Sequence, residues 1–63
     1  MTTEGLKAAL RDLAEHGTVY LESRSDALMV AEGCRLWGGI VEFGGGGSLW
    51  RVEWTPAEDA PDA

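Results

Sequence analysis

The chain has 63 residues, a formal net charge of −6, one cysteine and one histidine. A chain of this length forms a single domain, and it buries only about 60% of its unfolded surface, so it is marginally stable without staples. An intramolecular disulfide and a zinc site are excluded by the residue counts, and the charge disfavours a basic nucleic-acid-binding surface.

The charge divides evenly along the chain. Glu58, Asp59 and Asp62 sit in residues 56–63 without a base, and residues 1–55 hold the other eight acids against five bases. Direct nucleic-acid binding is therefore not expected. The longest apolar stretch, residues 27–31, is far short of a membrane span, and no charged segment followed by an apolar run opens the chain. A lone cysteine without a disulfide framework points to a reducing cytoplasm.

Residues 3–16 read as a helix. Thr3 can cap it, Glu4 suits its positive end, His16 its last turn, and Gly17 closes it in the left-handed conformation. Leu6, Ala9, Leu10 and Leu13 recur at helical spacing and form one apolar face. Residues 18–23 (TVYLES) read as a short strand, with Val19 and Leu21 on one face and Tyr20 and Glu22 on the other.

Residues 24–33 admit two readings. As a helix, Ser25 caps it, Asp26 lies in the first turn and Gly33 closes it; as a strand, residues 27–32 pair back on residues 18–23. Alanine and glutamate fit strands poorly, so the helix is favoured, and its apolar character nearly all round predicts extensive burial.

Residues 36–55 (LWGGIVEFGGGGSLWRVEWT) are two alternating runs around four glycines, the pattern of a β-hairpin. Centred on the glycines, the register places Phe43 opposite Ser48, Val41 opposite Trp50, Gly39 opposite Val52 and Trp37 opposite Trp54. One face then carries Trp37, Val41, Phe43, Trp50, Val52 and Trp54, and the first helix covers it as the core. The expected fold is α+β in the order α-β-α-β-β, with α-β-β-β-β as the alternative. It occupies residues 1–55, and residues 56–63, composed only of Ala, Pro, Asp and Glu, form a disordered acidic tail.

No residue pattern calls for catalysis, a cofactor or a metal. The glycine run lacks the lysine and helix start of a phosphate-binding loop and reads as a flexible hairpin tip. Gly38 and Gly39 weaken a strand interior, and room for a neighbouring indole explains Gly39 better than a bulge or a close backbone approach by a partner. Cys34 beside Arg35 has no histidine partner and reads as a small core residue. The outer hairpin face remains. Tyr20, Leu36, Ile40 and Leu49 make an apolar centre rimmed by Glu22, Glu42, Glu53 and Arg51, which suits an interaction surface unless the second helix covers it.

In size, in acidity carried by Glu22, Glu42, Glu53, Glu58 and Asp59, and in lacking a catalytic motif, the chain resembles the small phage-encoded inhibitors of host defence, including anti-CRISPR proteins. The resemblance implies a non-enzymatic inhibitor that occupies the basic surface of a larger nucleic-acid-binding effector; it transfers no residue, and the expected contacts, Tyr20, Glu22, Leu36, Ile40, Glu42, Leu49 and Glu53, come from the outer face itself. A small structural subunit or homodimer is the alternative, and a ligand-binding domain with the tryptophans lining a pocket is a third.

Overall fold

The computed structural model describes residues 2–59. Its elements are α1 (Thr3–His16), β1 (Thr18–Leu21), α2 (Arg24–Cys34), a 3-10 turn (Arg35–Trp37), β2 (Ile40–Gly46) and β3 (Leu49–Thr55). The fold is α+β in the expected order, and the alternative in which residues 24–33 form a strand does not occur. Both helices pack on one face of an antiparallel sheet of order β1-β3-β2, so β3 is the central strand.

Each helix is capped one or two residues earlier than its sequence suggests. Thr2, not Thr3, is the N-cap of α1, its hydroxyl accepting from the Gly5 N–H at 3.0 Å. At α2 the cap is Ser23 rather than Ser25, with its hydroxyl accepting from the Asp26 N–H at 3.3 Å. A cap two residues earlier adds Arg24 and Ser25 to the helix. Gly17 ends α1 at φ 81°, donating its N–H to the Leu13 carbonyl, while its own carbonyl accepts from Trp54 N–H and so ties the helix end to β3. Gly33 does not end α2; it lies inside the helix, where a side chain would meet Leu10 of α1 at 3.5 Å.

The buried residues of α2 are Ala27, Val30, Ala31 and Cys34. Their spacing is one helical stripe, so the helix buries a single face, not its whole circumference, and Met29 remains exposed. With Ala9, Leu13 and Val52 these residues form the core. Val19, Leu21, Val41, Phe43, Trp50 and Trp54 pack around it from the sheet, Leu6 and Leu10 from α1.

The hairpin register differs from the glycine-centred one. Val41 pairs with Trp54, Phe43 with Val52, Gly45 with Trp50 and Gly46 with Leu49, so each β2 residue meets a partner four positions further along β3. The turn is Gly47-Ser48, with positive φ (68°) at the glycine alone, the requirement of a tight hairpin turn with glycine at its first central position. Because the slip is even, every side chain keeps its face. It brings Val52 rather than Ser48 opposite Phe43, and Phe43 stacks on Trp50 with ring centroids 5.6 Å apart. The Trp50 ring lies 2.5 Å from where a Gly45 Cβ would stand, so Gly45 is glycine to admit the indole.

Trp37 and Leu36 are not in the strand. They belong to the 3-10 turn, and Trp37 meets Trp54 edge-on at 4.7 Å from outside the sheet. The three tryptophans are therefore not a buried row: Trp50 and Trp54 are half-buried and Trp37 is exposed. Gly39 makes no room for an indole. Its φ is 92°, and a Cβ there would fall on the Thr55 carbonyl and within 2.9 Å of the Ala57 nitrogen, so the requirement is a close approach of the chain's own backbone. Residues 57–59 form a turn closed by the Asp59 N–H on the Pro56 carbonyl at 2.9 Å. The rest of the expected acidic tail, residues 60–63, lies outside the described residues.

Candidate functional site

Strand alternation and the register together fix what the sheet shows on the side away from the helices. Tyr20 of β1, Arg51 of β3 and Gly44 of β2 stand in one row across it. Thr18, Glu53 and Glu42 form the next row, and Ile40 pairs with Thr55 beyond it. None of the core residues lies on this face, and α2, which packs with α1 on the opposite side, does not cover it. Tyr20 is 60% exposed, Ile40 41% and Leu49 41%.

Of the contact residues expected from the sequence, Tyr20, Ile40, Glu42, Leu49 and Glu53 share this open face. Glu22 follows the end of β1 as an exposed bend residue. Leu36 is a correction: it sits in the 3-10 turn, 89% exposed, and not on the sheet. Two residues with larger parts were undervalued. Gly44 and Arg51, with Tyr20, Gly45 and Leu49, line a groove of about 410 Å³. Gly44 belongs to β2 and not to a loop tip, and the Gly47-Ser48 dipeptide is the signal in the sequence for that placement.

The charges on this face are unevenly matched. Arg51 reaches Glu53 at 3.1 Å. Glu42 lies directly across from Glu53, and no basic side chain pairs with it among the described residues. Like charges directly opposite on a sheet are destabilising. Glu42→Lys is therefore expected to raise the thermal midpoint, which a circular-dichroism melt checks.

Elsewhere the reactive groups are accounted for by the fold. Cys34 is fully buried, its Sγ–H donating to the Ala31 carbonyl at 3.5 Å, and burial pushes the thiol above its ordinary pKa of 9.0 although Arg35 pulls the other way. That is the reverse of an activated thiolate. Native protein should react with a thiol reagent only at the rate of unfolding. The raised pKa also means that the unfolded chain loses its proton first, so stability falls as pH rises through 9.0, and Cys34→Ala should flatten that fall. Asp12, Glu15 and His16 bring ligand atoms within 4.8 Å of one another on the last turns of α1. All are exposed, and among the described residues no polar side chain is buried behind them. His16 stays a last-turn residue facing the negative end of the helix.

The chain stands by itself. No family model matches it, and neither a curated protein nor a solved structure shows significant similarity.

Proposed function

We propose that this protein is a non-enzymatic interaction module that binds a larger protein through the open face of its sheet. The observation that carries this reading is the uncovered Tyr20, Ile40 and Leu49 on a sheet whose opposite face takes both helices. A small domain has every reason to bury such side chains, and an apolar centre rimmed by charge is the composition of a docking surface. Aromatic and aliphatic anchors supply most of the affinity in such contacts, while carboxylates steer the encounter. With Glu42 and Glu53 against the single Arg51, the face favours a basic partner. Occupying the basic surface of a nucleic-acid-binding effector, in the manner of the small acidic phage-encoded inhibitors, is the form of this reading that fits the overall charge.

A photoreactive phenylalanine analogue in place of Tyr20 tests it in extract of the native host. The same analogue in place of Met29, exposed on α2, is the control. A discrete cross-linked partner at Tyr20 alone, lost when Leu49→Ser is added and slowed in association by Glu42→Lys, supports the reading. Equal cross-linking from Met29, or indifference to Leu49→Ser, contradicts it.

A further inference from the structure

Two neighbouring positions on the outer face of β2 are poorly chosen for folding. Glu42 faces a second carboxylate across the strand pair. Gly44 weakens a strand without any backbone reason, because its φ is not positive and a Cβ there would meet nothing within 4 Å. Gly45, by contrast, is dictated by the Trp50 ring. Departures from local folding rules that the fold itself does not require are expected at functional sites.

Both positions lie on a free sheet edge. β2 pairs with β3 on one side only, and pairing runs unbroken from Ile40 to Gly46. Natural edge strands are blunted by charged side chains (lysine above all), proline, a bulge or short length. β2 has seven residues and, apart from the single charge of Glu42, none of these devices, whereas the other edge strand, β1, has only four residues. Among the described residues no other backbone hydrogen bond reaches β2. The groove over Gly44, bounded by Leu49, Arg51 and Tyr20, adjoins this edge.

We propose that the free edge of β2 captures an extended segment of a partner protein as an added strand, with an aromatic side chain lying over Gly44 and a lysine or arginine beside Glu42. An aromatic residue on a neighbouring strand covers the bare surface of a strand glycine, and main-chain hydrogen bonds supply the rest of the contact. Residues 42 and 44 share a face, so the two recognised side chains are two positions apart in the segment. The edge strands of a second copy of this chain do not supply them, and its one aromatic two positions from a base, Trp37 with Arg35, is held in the 3-10 turn. The outer face of β2 offers Ile40, Glu42 and Gly44, and β1 has Tyr20 but no base. The proposal rests on the outer face being the docking surface and specifies what docks there.

Selection from a random displayed dodecapeptide library on the immobilised protein tests it, with Gly44→Val as the counter-target. Valine suits a strand and has open space, so this variant keeps or raises the thermal midpoint while filling the groove. The expected result is enrichment of peptides with an aromatic residue two positions from a lysine or arginine. Their affinity should fall at least about tenfold on Gly44→Val. On Glu42→Lys the selected base should be replaced by an acid. Peptides that bind wild type and Gly44→Val equally, or no enrichment at all, overturn the proposal. If binding is lost on Tyr20→Ala and Leu49→Ser but not on Gly44→Val, strand capture fails and the outer-face reading stands. If none of these substitutions matters, both fail.

Discussion

Leu13→Ala is expected to remove about half of the protein's stability. Leu13 is fully buried at the centre of the core, between α2 and the Val52 side of the sheet. Removing a buried leucine costs about 2–5 kcal/mol, the upper end where the site cannot collapse. A chain of this length has a total stability of only about 3–9 kcal/mol on per-residue scaling. Urea unfolding followed by circular dichroism reads the loss. Trp37→Ala removes a larger side chain but should cost less, since Trp37 is 40% exposed and its contact is one ring edge against Trp54. The opposite ranking would place the stabilising core at the tryptophan end of the hairpin rather than between the helices and Val52.

Gly39→Ala is the second change with a large expected effect. A φ of 92° is strained for any residue with a Cβ, and the added carbon would collide with the backbone at Thr55 and Ala57. The strain alone costs about 1–3 kcal/mol, before the collision is counted. Gly38 shares the positive φ, 84°, but has open space around it, so Gly38→Ala isolates the conformational part. Its carbonyl accepts from the Trp54 indole N–H at 2.8 Å, so this short segment also orients the indole. Thermal melts of the pair should rank Gly39→Ala well below Gly38→Ala. Equal midpoints would mean that the chain does not cross at Gly39.

The elements with side-chain periodicity were legible in the sequence. Leu6, Ala9, Leu10 and Leu13 gave α1 at its observed bounds, and alternation gave the correct face for the side chains it assigned in β1, β2 and β3, though not for Gly44 to Gly46. The hairpin register was not legible from alternation. A run of glycines presents no side chains to either face, so slips by an even number of residues look alike in the pattern. What distinguishes them is three-dimensional: the fit of the Trp50 ring over Gly45 and the stacking of Phe43. Leu36 and Trp37 were misplaced because an apolar pair before two glycines extends an alternating pattern equally well as a strand or a turn. Positive φ at Gly38 and Gly39 breaks the strand there. The open face followed from alternation, but its being uncovered depended on where α2 packs. The stripe Ala27, Val30, Ala31 and Cys34 carried that information without naming the side of the sheet it would meet.

The most direct test of the open-face account is Ile40→Asp, melted by circular dichroism and assayed beside wild type against the cross-linked partner. Ile40 is 41% exposed on the face that the helices leave bare. The midpoint should therefore fall by no more than about 8 °C, which corresponds to roughly 1 kcal/mol in a domain of this size. Binding should be lost. Loss of the fold together with binding would show that Ile40 is a core residue and would contradict the account.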